Sequence, residues 1–418
     1  MRTIGGWRRP RFVRAMKRVA KAALYDFMAP RACSDSTVHK HGQPVVVGFL
    51  RAPTGIGQSA RLCLNALKRL GFDPACYDLT PRFQPIRMID DVPRSVAKSA
   101  EANAGPLVVH ANPPDLPAIF FHLGKRFIDS RLVFGYWAWE LNEVPPTWIK
   151  GYEYVHEVWA PSTFCADLFT SQGKKVVRRV FNPQLPNYAE PNRAAFGIPP
   201  DKTVFLVCCD VNSSVARKNP IGSVEAFRRA FAGSNDALLF IKVTGTSDVK
   251  AASRMLGLRN TDHENMLLWS QPLSESAMKT LYRSVDIVLS LHRAEGCGLV
   301  MVEAMLSGRC VIGTEWPGCS DFLNPTTAVL VPGKLVDIND PQGIYVNGGQ
   351  WAEPDADAAV YAIRELALNP LMREQLSRQA FYATTQLCGD AAYVTALGDR
   401  FINAATRPGG GGERLATG

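Results

Sequence analysis

Two carboxylates, Glu295 and Glu303, stand eight positions apart and straddle the bend Gly296-Cys297-Gly298. An apolar, strand-sized run, Asp286–Leu291, leads into this bend. A helical pattern follows over Leu299–Ser307, and Cys310–Gly313 reads as the next strand. Two glycines at a strand-to-helix turn let the backbone approach a ligand closely. The free amides and positive dipole end of a helix start, here Gly298 and Leu299, favour phosphate oxygens. At ~1.5 Å per residue, Glu303 lies about 6 Å along the axis from Leu299. One acid can then reach each end of an extended ligand, with phosphates between. Carboxylates suit sugar and ribose hydroxyls because they accept charge-assisted hydrogen bonds. The plainer alternative is a helix-capping acid at 295 and a surface acid at 303.

Three further groups could join this chemistry. Arg217 and Lys218 follow the apolar strand Val204–Cys209, where a basic pair can neutralise phosphate or simply be solvated. His110 ends the strand Leu107–His110 and is either a site histidine or a hydrogen-bonded structural one. Tyr136-Trp137-Ala138-Trp139-Glu140 ends another strand, with aromatic faces that suit sugar stacking or a core. Gly55-Ile56-Gly57-Gln58-Ser59-Ala60 matches a dinucleotide fingerprint, with Asp78 at a later strand end. Four residues, Arg51 to Thr54, separate its first glycine from the strand, which that fingerprint does not allow. Asp355-Ala-Asp357 has the form of a metal motif, but it opens a helix, where acids cap amides.

These groups need a scaffold. The chain has 418 residues, 46% of them hydrophobic and 20% charged, which suits a globular protein of two domains or more. Short apolar strands alternate with helical segments on both sides of the proline-rich stretch Asn182–Asp201. We expect an α/β protein with two doubly wound, Rossmann-like domains facing a cleft, where ligands of open sheets bind. The expected layout is a basic arm and linker over 1–43 and a first domain over 44–190. A linker over 191–201 and a second domain over 202–385 follow, then a C-terminal helix over 386–405, packed back toward the first domain. A glycine-rich tail, 406–418, is expected to be disordered.

The ten cysteines contain no C-x-x-C pair and read as reduced, mostly buried thiols. No apolar run approaches the ~18 residues of a membrane-spanning helix. The net charge of +9 is concentrated at the start, where residues 1–31 hold nine Lys or Arg and one acid, Asp26. The rest is nearly neutral, so we expect no nucleic-acid partner. Phe12, Met16, Val19, Ala23 and Phe27 share one helical face, opposite Arg14, Lys17, Arg18 and Lys21. That pattern suits an anionic membrane surface, touched through residues 1–30. A solvated leader and a transit segment are the alternatives.

The segment Glu295 to Glu303, continuing Ala304-Met305, resembles the E-x7-E motif of family 4 retaining glycosyltransferases with the GT-B fold. The likeness covers about residues 44–400, and it extends to bacterial polysaccharide and glycolipid glycosyltransferases. Cys297 stands where that family often has a bulky residue. The resemblance implies a metal-independent hexosyltransferase that uses a nucleotide-diphosphate sugar as donor, with no cofactor. Glu303 would hold the ribose, while Gly55, Gly57, Arg217, Lys218, Gly296, Cys297, Gly298 and Leu299 line the donor. His110 and Glu295 would act at the sugar. Tyr136, Trp137 and Glu140 would face the acceptor, a glycan or a lipid-linked hydroxyl. A cytoplasmic enzyme of surface polysaccharide synthesis, peripheral on the inner membrane face, fits the basic arm. Two rivals stay open: a non-catalytic sugar-nucleotide-binding or membrane-scaffold protein, and an NAD(P)-dependent oxidoreductase.

Overall fold

The structure is a computed structural model that describes residues 11–38, 41–83, 105–259, 262, 264–345 and 348–405. The glycine-rich tail and the first ten residues lie outside the described residues.

The first half is built on β1 (Val45–Gly48), β2 (Ala75–Asp78), β3 (Leu107–His110), β4 (Val133–Tyr136), β5 (Glu157–Ala160) and β6 (Val176–Arg179). They form one parallel sheet in the order β2-β1-β3-β4-β5-β6. Strands β1, β3, β4 and β5 are buried at every position, as strands covered on both faces must be. The two edge strands are less covered: β2 is half-buried at three of its four positions, and β6 is the more open. It exposes Val176 and carries Arg178 and Arg179, charges that suit an unpaired edge.

The second half holds β7 (Thr203–Asp210), β8 (Ala237–Thr244), β9 (Met266–Trp269), β10 (Ile287–Ser290), β11 (Cys310–Thr314) and β12 (Val329–Val331). Their order is β12-β11-β10-β7-β8-β9, again parallel. An antiparallel hairpin, β13 (Gly333–Asp337) with β14 (Gln350–Pro354), follows.

In both sheets the order reverses once, between β1 and β3 and between β7 and β10. At such a switch point adjacent connections leave in opposite directions and open a crevice at the carboxyl ends. The loops after β7 and β10 carry Arg217, Lys218 and Glu295, and β3 ends at His110.

The Pro-rich stretch is not a free tether. Phe196 and Ile198 are buried in the core of the second half, and the Asn187 amide donates to Leu306 O at 2.8 Å. The Pro370–Cys388 helix covers the second half, and the Asp390–Ala404 helix crosses back. There Phe401 packs edge-on against Phe72, Phe134 and Trp159 of the first half.

The helix Arg11–Met28 forms as its pattern predicts, and it packs on the Leu116–Leu123 helix. Tyr25 packs against Phe121 with the rings tilted and their centroids 5.0 Å apart, and Asp26 pairs with Arg31 and Lys150. Leu24, Phe27 and Met28 stay exposed. The side chains of Phe12, Arg14, Met16, Lys17, Arg18 and Val19 lie outside the described residues.

Because Phe401 ties the final helix to the first sheet, Phe401→Ala should lower stability by about 3–5 kcal/mol. Chemical denaturation of the two proteins measures this. A loss below about 1 kcal/mol would mean that the crossover helix is not anchored there.

Candidate active site

The second sheet's switch point is organised by a buried ion cluster. After β7, Ser214 caps the one-turn helix Val215–Lys218, and Asn219 turns the chain at φ 49°. The Asn219 side chain donates to Leu291 O at 2.9 Å, tying this loop to the end of β10. Arg217 is thereby turned inward and is 4% exposed. It donates to Ala294 O at 2.8 Å and pairs with Glu295 Oε2 at 3.2 Å. Lys218 Nζ pairs with the other oxygen of Glu295. From the first half, Glu140 approaches Arg217 at 3.7 Å. Burial opposes the charge on Glu295, but Lys218 and Arg217 outweigh it and hold the carboxyl down at about 2. Burial likewise opposes the charge on Arg217, and Glu295 and Glu140 more than offset it, so its pKa lies above the ordinary range.

Two glycines set the bend that follows. A Cβ on Gly296 would come within 2.6 Å of Trp139 O, so only glycine lets the two halves meet here. Gly298 has φ 72° and starts the Leu299–Met305 helix. Across the same seam, Ser162 Oγ donates to Gly296 O at 2.6 Å. Asp321 accepts from the Thr163 amide at 2.7 Å and pairs with Arg179 at 2.9 Å. Asn182 Nδ2 lies 3.6 Å from the buried Cys297 sulfur.

Glu303 occupies a different environment. Tyr282 OH donates to its Oε2 at 2.8 Å, and no ion pair reaches it among the described residues. Burial pushes its carboxyl up to about 7, against the hydrogen bond from Tyr282 and the field of Arg61. Arg61 belongs to the Gly55–Arg69 helix of the first half, so this acid faces the opposite wall. The helix is capped by Thr54 and starts at Gly55, whose Cβ would meet nothing. A Cβ on Gly57 would strike Ala52 O and Phe49 O, so the glycines here fold the loop tightly onto β1.

His110 is fully buried at the end of β3. Its Nδ1 meets Ser59 Oγ at 3.0 Å, its ring stacks on Tyr136 at 4.5 Å, and its Nε2 has no partner. Burial pushes it down to about 3, so the ring is neutral at ordinary pH.

The aromatic segment departs from expectation. Trp137 does not face the crevice. It packs into the first core against Tyr152 and Phe169, because Trp137 continues the alternation of β4, which sends Val133 and Trp137 to one buried face and Phe134 and Tyr136 to the other. Tyr136 is also buried, with its OH donating to Val180 O at 3.1 Å and the Cys297 thiol beside it. Of the three, Glu140 alone reaches the ion cluster. Trp139 lies at the seam through its carbonyl and by a tilted ring contact with Tyr345, centroids 5.6 Å apart.

The rival motifs are occupied by structural work. Asp78 pairs with Arg51 at 2.6 Å and accepts from the Thr80 amide. Asp355 accepts from the amides of Asp357 and Ala358 as a helix cap. No group of three or more metal-ligating side chains is assembled among the described residues.

Sequence reasoning missed Ser59, Tyr282, Asn219 and Lys242. Lys242 was the detectable one, as a lysine inside the apolar strand β8. It is buried beside Cys208 and donates to Val243 O at 2.9 Å. A groove of about 310 Å³ lies at the seam between Thr163–Leu168 and Pro317–Ser320.

Residues 215–345 match the family model described as glycosyl transferases group 1. No curated protein matches the chain significantly. Among solved structures, Anabaena HepE in complex with UDP and glucose aligns with TM-score 0.60 and 13% identity, over 87% of this chain and 100% of that one. Sucrose-phosphate synthase from Thermosynechococcus elongatus aligns with TM-score 0.62 and 14% identity, over 86% and 98%. A glycosyltransferase from Rickettsia africae aligns with TM-score 0.58 and 14% identity, over 88% and 99%. The fold is therefore GT-B, as the resemblance implies.

The two acids should give opposite pH signatures. Glu295, held at about 2 when folded against an ordinary 4.5, stabilises the fold above pH 4.5 and loses that contribution as pH falls toward 2. Glu303, raised to about 7, favours the protonated form, so stability falls as pH rises from 4.5 through 7. Denaturation across pH 4.5–7.5 should show Glu303→Gln flattening that fall. Glu295→Gln should cost about 3–5 kcal/mol at pH 7 by leaving Arg217 short of a partner. A Glu303→Gln profile that still falls with pH, or a Glu295→Gln loss below about 1 kcal/mol at pH 7, would contradict the assignment.

Proposed function

We propose that the protein is a retaining, metal-independent hexosyltransferase. It moves a sugar from a nucleotide-diphosphate donor to a hydroxyl of a glycan or glycolipid, in surface polysaccharide synthesis. The observation that carries this reading is the ion cluster of Arg217, Lys218 and Glu295 at the second sheet's switch point, with Glu303 on the helix that leaves the same bend. The group 1 match over 215–345 spans the same residues.

In this reading the donor lies along the Glu295–Glu303 segment. Glu303 uses the oxygen not engaged by Tyr282 to accept from ribose hydroxyls. Lys218, less buried than Arg217, turns from Glu295 to the diphosphate. Arg217 stays in place and fixes Glu295. The amides at Gly298 and Leu299 face the same phosphates. As the bond from the anomeric carbon to the diphosphate oxygen breaks, negative charge grows on the leaving group. Fixed cations and amides then stabilise the transition state more than the ground state. The acceptor hydroxyl attacks from the face the diphosphate leaves, and its proton passes to the departing phosphate. Neutral His110 offers its unpartnered Nε2 to the sugar. Glu140 lies on the acceptor side.

The same proposal places the protein on an anionic membrane face. The acid Asp26 is turned toward Arg31 and Lys150, which leaves the exposed Leu24, Phe27 and Met28 beside a strongly basic segment. No helix among the described residues is long and apolar enough to cross a membrane.

A thermal-shift screen of UDP, GDP, dTDP and their sugars, then a transfer assay with the best binder, tests the function. UDP-glucose is the first probe, since HepE is described with it. Glu303→Ala should weaken donor binding at least about tenfold, and Lys218→Ala should lower kcat about 10²–10³-fold. Wild-type behaviour in both would refute the reading. Separately, Leu24→Ser with Phe27→Ser should reduce sedimentation with phosphatidylserine vesicles while leaving the melting temperature unchanged. Equal sedimentation would exclude this surface.

A further inference from the structure

Far from the crevice, the amino ends of β10 and β11 border a cavity of about 540 Å³, a size typical of small-molecule sites. Four arginines line it, Arg283, Arg309, Arg373 and Arg378, against two acids, Asp286 and Glu374. Both acids are already engaged. Asp286 pairs with Arg193 at 2.8 Å and accepts from the Val204 amide, while Glu374 pairs with Arg378 at 2.8 Å. Arg283, Arg309 and Arg373 are in no ion pair among the described residues.

Their hydrogen bonds go to backbone carbonyls instead. Arg283 Nη1 and Arg309 Nε converge on Ser307 O at 2.9 and 3.2 Å. Arg309 Nη1 also donates to Val285 O, and Arg373 Nη1 donates to Leu366 O and Ala367 O. In all three, Nη2 makes no hydrogen bond to a described residue. Two guanidinium groups sharing one carbonyl oxygen repel each other, and the field of Asp286, itself paired with Arg193, offsets this only in part. Burial and the neighbouring Arg283 accordingly depress the pKa of Arg309. At the rim, Tyr188 is 75% exposed and sits edge-on to Phe381, with ring centroids 6.3 Å apart.

We infer that this cavity is a second ligand site, which binds an organic phosphate. The phosphate lies between Arg283 and Arg309, and the ring it carries rests on Tyr188 and Phe381. The Nη2 groups of Arg283 and Arg309, which donate to no described residue, give phosphate charge-assisted donors. The aromatic rim supplies an apolar face for a base or sugar. The site uses none of the crevice residues and does not depend on the proposed transfer reaction.

Calorimetry with inorganic pyrophosphate on the full chain carrying Lys218→Ala, which weakens the crevice for phosphate, tests this. Binding is expected, with AMP or glucose 6-phosphate displacing the pyrophosphate and so separating a nucleotide from a sugar phosphate. Arg283→Gln with Arg309→Gln should weaken binding at least about tenfold. Should that pair fail to fold, Ser377→Glu keeps both carbonyl contacts and places an acid in the cavity, with the same expected loss. Tyr188→Ala should weaken AMP or the sugar phosphate but not pyrophosphate. The inference is overturned if pyrophosphate gives no binding, if Ser377→Glu leaves its affinity unchanged, or if neither organic phosphate displaces it.

Discussion

A buried arginine needs an anion, and that requirement shapes this protein's centre. Arg217 is almost wholly removed from water, where an unpaired charge costs several kcal/mol. Glu295 is the group that satisfies it, so the bend that carries Glu295 must be held still. Trp316 Nε1 donates to Glu295 O at 3.1 Å, and Gly296 lies against the backbone of Trp139. The hairpin contributes from the other side, through Arg293 with Glu353 and the Ala352 amide on Arg293 O. The ion cluster and the contact between the halves are thus one construction. Glu140 and Ser162 come from the first half, and Arg217, Glu295 and Gly296 from the second.

The two acids of the motif show how environment divides like groups. Glu295 is ionised because two cations face it. Glu303, eight residues on, is half-buried beside a phenol and has no direct ion partner among the described residues, so its proton is held up to neutral pH. Burial acts on both in the same direction, and neighbouring charge decides the difference. A carboxylate fixed to two cations makes a rigid reference point. One that titrates near neutrality can exchange its proton for hydrogen bonds from a bound diol. That division fits a site in which one end positions phosphate and the other recognises hydroxyls.

Much of this was legible in the sequence because it is local. The strand–bend–helix run around Glu295 and Glu303, the basic pair after β7 and the two-sheet alternation all follow from apolar runs and glycine positions. Asp355 likewise reads as a cap from its place before a helix. What could not be read depends on which way a buried side chain turns. Tyr136 and Trp137 end a strand near the crevice, yet the packing of Tyr152, Phe169 and Val180 takes both inward. The hairpin of β13 and β14 was invisible because its first strand is largely exposed and lacks an apolar run. Asn219, a non-glycine residue at positive φ, is set by a side-chain bond to Leu291, a partner more than seventy residues away.

In the proposed reading, nucleotide diphosphates enter at the ion cluster between the two sheets, and hydrogen exchange of the free protein, compared with the protein saturated in turn with UDP, GDP and dTDP, tests that entry. At least one nucleotide should slow exchange in both the 213–222 and 292–305 segments, which hold Arg217, Lys218, Glu295 and Glu303. Unchanged exchange in those two segments with every nucleotide would contradict it.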